Sequence, residues 1–271
     1  MPHPAATDPT WRLRSVRRPM TAVAFARAHP IRPGWKREYF GGTAYLRPNW
    51  LMVIFERWLT PAPPVVAAGL RPITEADVPL LRDLFVDAFR AAPEYADDPD
   101  EAYPANADRY LAGFFGNERG GWSTASRVLV RGGVAVAAAT IKFGARWPIL
   151  DCLMVRPRCF RQGLGTLAAT ASLAALAAEG HPRVRSAAKL ANEESIAWHR
   201  AFGFTELPCQ MVTESRWRCA ANELERLAQL GLLTPEQRAA ATADVARFRA
   251  ELDAIADLRK DEYDSVFPTL E

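Results

Sequence analysis

The stretch with the clearest chemical potential runs from Leu153 to Thr166 and reads LMVRPRCFRQGLGT. Its apolar start ends at Pro157, and a G-x-G sequence follows at Gly163 and Gly165, before a segment rich in Ala and Leu. Glycines at a helix start let an anion approach unpaired main-chain N–H groups, and the helix dipole adds about half a positive charge there. Three arginines add charge nearby: Arg156, Arg158 and Arg161. The pattern therefore predicts a turn that binds a pyrophosphate.

A dinucleotide-binding turn is a weaker interpretation of the same glycines. That turn needs three glycines and an acidic residue about 20 positions further on. The sequence supplies neither the third glycine nor the acid at that distance. The G-x-G sequence alone would be weak support for any nucleotide, so the surrounding elements have to carry the interpretation.

The elements around this turn alternate between strand and helix periodicity. Strands are predicted at 70–73, 127–131, 134–143, 149–155, 184–190, 204–207 and 210–213. Helices are predicted at 80–89, 107–115, 163–179 and 193–202, and a loop at 97–103. This mixed α/β order favours one central sheet with helices on both faces.

Additional segments flank the central part. Before it we predict a short helix at 17–29, a β-hairpin at 35–46 that turns at Gly41-Gly42, and a proline-rich linker at 61–64. After it, 222–258 is predicted to be helical, with a capping box that begins at Thr234. The predicted domains are therefore an N-terminal extension at 1–68, a central domain at 69–217, and a helical hairpin with a tail at 218–271.

The C-terminal helical segment carries an apolar stripe at helical spacing. Its members are Val245, Phe248, Leu252 and Ile255. We expect this stripe to pack on its own domain, and the alternative is a homodimer contact through the C-terminal helices.

Composition excludes several classes of function. A net charge of +3 and a pI near 8.8 are too weak to indicate nucleic-acid binding. The four cysteines form no C-x-x-C pair and have no histidine at metal-ligand spacing, so no metal site is expected. The sequence shows no apolar run of the roughly 20 residues that a membrane span needs and no signal peptide. A cytoplasmic protein without a membrane or nucleic-acid partner is expected.

Two motifs together resemble the GNAT superfamily of N-acetyltransferases. The stretch 153–166 is similar to the family's acetyl-CoA-binding motif V-x-P-x-x-R-x-x-G-x-G/A. The stretch 192–204, NEESIAWHRAFGF, is similar to the family's N-x-x-A/S-x-x-x-Y-x-x-x-G-F. The resemblance covers about 70–217. It implies a mixed, mostly antiparallel central sheet with helices on both faces, with acetyl-CoA as co-substrate and no metal.

The resemblance also implies where acetyl-CoA binds. Its pantetheine arm would lie in a gap between the strand ending at Val155 and the strand at 184–190, and its pyrophosphate would bind the turn. The implied contacts are Leu153, Met154, Val155, Arg161, Gln162, Gly163, Leu164, Gly165, Thr166 and Asn192. The sequence departs from the family at two positions. Phe160 stands where Arg or Gln is usual, and His199 stands where many members have a tyrosine that acts as general acid.

Two side chains are candidates for the chemistry. Asp151 lies on the strand that leads to the motif, where several relatives place a Glu, and we expect it to act as the general base for the amine. Its alternative role is to orient substrate or bind backbone. His199 is the candidate acid for the departing thiolate, and the alternative is that it only binds CoA or packs beside Trp198.

The sequence thus predicts an N-acetyltransferase that moves an acetyl group from acetyl-CoA to a primary amine, by direct attack in a ternary complex. The acceptor would be a small molecule or a protein N-terminus. The acids of 94–101 would favour a cationic acceptor, and the alternative is that they form a solvated loop. The alternative function is a non-catalytic module that senses acetyl-CoA and signals through its terminal helices. A longer acyl donor is also open, because small residues at Ala138, Ala139, Ala187 and Ala188 leave the depth of the pocket undefined.

Overall fold

The computed structural model describes residues 16–19, 21, 24, 31–40, 43–90, 92–95, 98–116, 121–144 and 146–255. They form two compact units. The first, here called the sheet unit, comprises Ile54–Ala187 and Trp198–Glu206. The second, the appendage unit, comprises the described residues up to Val53, Ala188–Ala197, and the described residues from Leu207 onward.

The appendage unit contains a three-stranded antiparallel sheet in the order β1-β3-β2. Its strands are β1 (Val16–Pro19), β2 (Trp35–Phe40) and β3 (Thr43–Pro48). The hairpin β2–β3 confirms the hairpin predicted at 35–46, and its turn glycines lie outside the described residues. The helix predicted at 17–29 is wrong for 17–19, because β1 pairs with β3 and its main-chain groups bond across the ladder. Most of the remaining positions of that predicted helix lie outside the described residues.

A seven-stranded sheet forms the core of the sheet unit. In chain order its strands are β4 (Met52–Trp58), β5 (Leu70–Pro72), β6 (Arg127–Arg131), β7 (Val134–Phe143), β8 (Pro148–Val155), β9 (Arg183–Lys189) and β10 (Thr205–Glu206). The spatial order is β10-β4-β9-β8-β7-β6-β5. The β8–β9 pair is parallel, whereas the β10–β4, β5–β6, β6–β7 and β7–β8 pairs are antiparallel. The predicted mixed, mostly antiparallel sheet is confirmed. It includes β4, which precedes the predicted linker.

Six α-helices have their bounds within the described residues. They are α1 (Val78–Phe89), α2 (Ala102–Phe115), α3 (Leu164–Ala178), α4 (Glu193–Ala201), α5 (Gln210–Gln229) and α6 (Pro235–Ala254). Met154 of β8 packs in one core cluster with Leu84 of α1 and Leu111 of α2. The next residue, Val155, faces α3, where its side chain meets Gly165. Because successive strand residues point to opposite faces, helices cover both faces of the sheet, as predicted.

Two predicted element boundaries are wrong. The loop predicted at 97–103 ends earlier, because α2 begins at Ala102 and carries Pro104 in its first turn, where a missing N–H leaves no helical bond unmade. The strand predicted at 210–213 is instead the first turn of α5. Val212 and Thr213 are both buried there, which an alternating strand would not allow, and the Thr213 N–H donates to the Cys209 carbonyl at 2.9 Å.

The C-terminal helices α5 and α6 pack against each other within the appendage unit. The predicted capping box is confirmed, since the Thr234 hydroxyl accepts from the Gln237 N–H at 3.3 Å and the Gln237 side chain accepts from the Thr234 N–H at 3.0 Å. The stripe residues Val245, Phe248 and Leu252 are half-buried. Among the described residues, no helix is both long and apolar enough to cross a membrane.

Candidate active site

The turn between β8 and α3 has an unusual backbone. A 3-10 helix at Pro157–Cys159 follows the strand, and Arg161 then adopts a left-handed conformation with φ of 61°. Gly163, the N-cap of α3, is also left-handed, with φ of 72°. A left-handed residue beside a right-handed one, as at Gly163 and the helical Leu164, turns successive N–H groups toward a common point, which is a geometry that binds anions.

The main-chain N–H groups of this turn remain available. In the continuously described part 146–255, the N–H groups from Arg161 to Thr166 donate to no protein acceptor, and the first N–H that bonds back is that of Leu167, to Gly163 at 2.9 Å. Residues 161–163 and Thr166 are exposed. The turn therefore presents a run of main-chain donors at a helix N-terminus, which is the physical requirement for binding a diphosphate.

Glycine is favoured at positions 163 and 165 for two different structural reasons. At Gly163 an added Cβ would meet nothing within 4 Å, so the left-handed backbone is what favours glycine there. At Gly165 an added Cβ would lie 2.8 Å from Cγ2 of Val155. This second glycine therefore also lets α3 pack closely on β8, beside the approach of a phosphate that is expected there.

The arginines near the turn also divide into two kinds. Arg156 was expected to add positive charge to the turn, and this expectation is wrong. Its Nε donates to the Ala135 carbonyl at 2.6 Å and its guanidinium pairs with Asp87, so its charge is already neutralised. Arg158 and Arg161 are exposed, and neither forms an ion pair with a carboxylate of any residue that the structure describes. Their charge is available to an anion at the turn.

The strands β8 and β9 are in register over a short length. Their parallel pairs are Ile149 with Arg185 and Leu150 with Ser186, whereas β8 continues to Val155. On its other edge β8 stays paired with β7, up to Val155 opposite Ala137. The registered pairs with β9 thus end before the three residues expected to contact pantetheine, which is the gap that the resemblance implies.

Asp151 lies at the point where this register ends, and it occupies a β-bulge. On β7, Thr140 pairs with Cys152 and Ile141 pairs with Leu150, so Asp151 is the extra residue of β8. A bulge redirects a side chain out of the regular alternation and is common beside active sites. The Asp151 side chain keeps 26% of its surface exposed, on a strand whose other residues are buried or half-buried.

The carboxylate of Asp151 is held on one side only. The Tyr110 hydroxyl donates to Oδ2 at 2.8 Å, and the Lys142 ammonium lies 3.3 Å from the same oxygen. No described residue donates a hydrogen bond to Oδ1. Asp151 is therefore not an isolated acid among apolar neighbours. Tyr110 and Lys142 fix the orientation of its carboxylate.

Tyr110 connects Asp151 to the core. Its hydroxyl also lies 2.7 Å from Oγ1 of Thr140, which in turn donates to the Cys152 carbonyl at 3.1 Å. Burial raises the pKa of Tyr110 well above its usual 10.0, and the Asp151 charge raises it further. The phenol therefore stays protonated and donates throughout the neutral pH range.

His199 is a buried residue of the sheet unit, with 4% exposure. Its ring stacks on Phe55, with centroids 4.5 Å apart, and its Nε2 lies 2.9 Å from Oγ of Ser186. The Ser186 hydroxyl also donates to the Leu150 carbonyl at 2.9 Å. The imidazole thus reaches the end of the β8–β9 register through Ser186.

Two residues of the second motif anchor local structure. Asn192 caps α4, since its Oδ1 accepts from the Ser195 N–H at 2.9 Å. Trp198 is half-buried, stacks on Phe202 with centroids 4.7 Å apart, and donates from its indole to the Thr166 hydroxyl at 3.1 Å. Nothing in the sequence indicated this link to the first turn of α3.

Sequence reasoning also missed Tyr110, Thr140 and Lys142. A signal for two of them was present, because Thr140 and Lys142 are polar residues two positions apart on the otherwise apolar strand β7 and so share a face. Nothing in the sequence linked Tyr110 to Asp151. Among the described residues, no group of three or more His, Cys, Asp or Glu side chains is arranged to hold a metal ion.

Comparison with known proteins gives one family match. Residues 79–204 match the profile of the Acetyltransferase (GNAT) family. No curated protein gives a significant match.

Several solved structures are similar to this chain. One is an aminoglycoside N-acetyltransferase in complex with CoA, 17% identical over 52% of this chain and 89% of its own, with a TM-score of 0.39. Another is an acetyltransferase from the GNAT family of Novosphingobium aromaticivorans, 16% identical over 71% of this chain and 69% of its own, with a TM-score of 0.38. A GCN5-related N-acetyltransferase from Sphaerobacter thermophilus is 14% identical over 72% and 57%, with a TM-score of 0.44.

Proposed function

Since residues 79–204 belong to the acetyltransferase (GNAT) family, we propose that the chain moves an acetyl group from acetyl-CoA directly onto a primary amine, in a ternary complex. The observation that carries this proposal is the run of available N–H groups from Arg161 to Thr166, next to a strand pair whose register stops at Leu150. The acceptor would be a small molecule or a protein N-terminus.

The proposed binding of acetyl-CoA follows from these two features. The diphosphate accepts hydrogen bonds from the main chain of 161–166, with Arg158 and Arg161 adding charge. The pantetheine arm runs along Leu153–Val155, on the edge of β8 that faces away from β7. This path brings the thioester toward the bulge at Asp151. Asn192 is proposed as a further CoA contact from the family motif alone.

The chemical step is a nucleophilic attack on the thioester carbon. As the bond between the amine nitrogen and the acetyl carbon forms, the amine proton passes to Oδ1 of Asp151, the oxygen without a described protein partner. Tyr110 and Lys142 keep the carboxylate oriented meanwhile. The carbon–sulfur bond then breaks, and CoA leaves as a thiolate that needs one proton.

His199 is proposed to supply that proton through Ser186. In this step the Ser186 hydroxyl gives its hydrogen to the thiolate and receives the Nε2 hydrogen of a protonated His199. The route is proposed because the imidazole is buried and its Nε2 meets Ser186 at the end of the strand register. Because a free thiol has a pKa of about 8.5, a water molecule offers a slower alternative.

The proposal is tested by steady-state kinetics with acetyl-CoA and a panel of amines, for the wild type and Asp151→Asn. The variant keeps the shape of the side chain but cannot take a proton, so we expect kcat to fall by about 100-fold to 10,000-fold while CoA affinity stays within about threefold. Tight CoA binding without turnover of any amine by the wild type would favour the sensing module instead. Unchanged kcat in Asp151→Asn would remove Asp151 from the mechanism.

A further inference from the structure

The proposed base has an unusual neighbour in Lys142. This residue is 6% exposed, and its ammonium lies 3.3 Å from Oδ2 of Asp151. The same nitrogen lies 5.4 Å from the ring centroid of Tyr110 and 5.7 Å from that of Phe114. A carboxylate and the faces of two aromatic rings are groups that stabilise a buried cation, so the site holds a fixed positive charge.

This fixed charge acts on whatever approaches the other oxygen of Asp151. Lys142 lies beside Oδ2, whereas the nitrogen of an acceptor amine would bind the other oxygen, Oδ1, of the same carboxylate. The two nitrogens would then be on the order of 6 Å apart. At an effective dielectric of about 20, two positive charges at that separation weaken binding by about 100-fold. Because the Asp151 side chain is 26% exposed, solvent screening reduces this penalty to roughly tenfold.

We propose that Lys142 makes the acceptor site selective for amines that are substantially neutral near pH 7 to 8, which are α-amino groups rather than alkylamines such as the lysine side chain. This inference rests on the proposed function. An α-amino group has a pKa of about 7.7 to 8.0, so about a third of it is neutral at pH 7.5. A lysine-type amine with a pKa of about 10.4 is only about 0.1% neutral at that pH.

Other ionisable groups surround the same carboxylate. Tyr110 and Cys152 contact this region, and burial raises the pKa of each, so both are neutral near pH 7. The Glu94 charge acts on Cys152 as well, and the acids of 94–101 would attract a cation. These charges favour an ammonium, whereas Lys142 opposes it. Since they stay the same when Lys142 is substituted, a comparison of variants isolates the effect of Lys142.

The test compares two matched peptides as acceptors. One has a free N-terminus and no lysine, and the other has the same sequence with a blocked N-terminus and one lysine. The measured quantity is the ratio of kcat/KM for the α-amine to that for the ε-amine at pH 7.5. We expect the wild-type ratio to exceed about 100, and Lys142→Met to lower it by roughly tenfold.

Two further variants serve as matched controls. Lys142→Arg keeps the positive charge and should keep the ratio within about threefold of the wild type. Tyr110→Phe removes a hydrogen bond from the same carboxylate without changing the charge, so kcat should fall while the ratio stays. A Lys142→Met protein that binds CoA normally and keeps the wild-type ratio would overturn the proposal, because a merely structural role for Lys142 predicts that outcome.

A measurement on the wild type covers the case in which Lys142→Met fails to fold. Between pH 7 and 8, kcat/KM for the ε-amine should rise about tenfold and that for the α-amine about fivefold, following their neutral fractions. Equal slopes, or equal kcat/KM for the two amines, would overturn the proposal. A small α-amine such as alaninamide distinguishes free amino compounds from protein N-termini as the source. Failure of every amine with CoA bound would instead overturn the proposed function.

Discussion

Substitution of Gly165 by alanine tests how the turn and helix α3 are fixed to the sheet. The added Cβ would lie 2.8 Å from Cγ2 of Val155 and 3.6 Å from Cδ2 of Leu153. Real Cβ atoms essentially never lie as close to another atom as the 2.8 Å to Val155. Val155 is β-branched and stiff at χ1, so it cannot rotate away at low cost. Either α3 must move off β8 or the strand must shift.

The magnitude follows from the cost of overpacking. Inserting one methyl group into a packed contact costs about 1 to 3 kcal/mol. Alanine has the better intrinsic helix propensity by nearly 1 kcal/mol, which offsets part of this cost. We therefore expect Gly165→Ala to lower the free energy of unfolding by up to about 2 kcal/mol. Because α3 begins at Leu164, the displaced helix start should also weaken CoA binding by about tenfold or more.

The assay is urea unfolding followed by circular dichroism, with CoA affinity measured by calorimetry. Val155→Ala removes the atom that the new Cβ would strike, so the double variant Gly165→Ala/Val155→Ala should recover most of the loss that the glycine change causes. Gly163→Ala is the matched control, since its Cβ meets nothing and its cost comes only from the left-handed backbone. A double-mutant cycle that shows no coupling between Gly165→Ala and Val155→Ala would refute this reasoning.

The remaining predictions concern pH, the acid route and Arg156. Burial raises the pKa of Cys152 above 9.0 and that of Tyr110 above 10.0, so each favours folding while it stays neutral, and the free energy of unfolding should fall as pH rises above about 9. Urea midpoints at pH 8 to 11 check this, and Tyr110→Phe should flatten the upper part of the curve; a level profile in the wild type would contradict it. Ser186→Ala should lower kcat about tenfold or more without changing the KM for acetyl-CoA. In the Ser186→Ala background, His199→Gln should cause almost no further loss of kcat, because both residues serve one proton route; additive losses in the double variant would show that the two residues act independently. Arg156→Met should lower the free energy of unfolding by about 1.5 to 3 kcal/mol, because the bonds to Asp87 and to the Ala135 carbonyl are lost, and CoA affinity should stay within about threefold of the wild type. A loss of CoA affinity without a loss of stability would show instead that Arg156 binds the phosphates.

The turn at 157–166 and the elements beside it could be predicted from the sequence because the residues that determine them are close together in the chain. A proline at the strand end, glycines at the helix start and a helical apolar segment all lie within one short stretch. The hairpins at Gly132-Gly133 and 35–46 were predictable for the same reason. The wrong boundaries at 102 and 210 came from local residues whose effect depends on position, such as Pro104 in a first helical turn.

The environment of Asp151 was not predictable, because its determinants are far apart in the chain. Tyr110 donates to Asp151 across 41 residues, and the bulge exists only in the pairing of β7 with β8. Lys142 is 9 residues before Asp151 but reaches it only through the same pairing. His199 was chosen by its place in a motif, and only the fold shows that its ring is buried and bonded to Ser186.

The most direct measurement is a titration of the isotope-labelled chain with CoA, followed through the amide signals of residues 161–166 by nuclear magnetic resonance. The account predicts that these amides, the donors without described protein acceptors, shift most and become protected from exchange as the diphosphate binds. Acetylated pantetheine, which lacks the diphosphate, should leave them nearly unchanged. CoA that binds while these six amides stay unmoved would contradict the account.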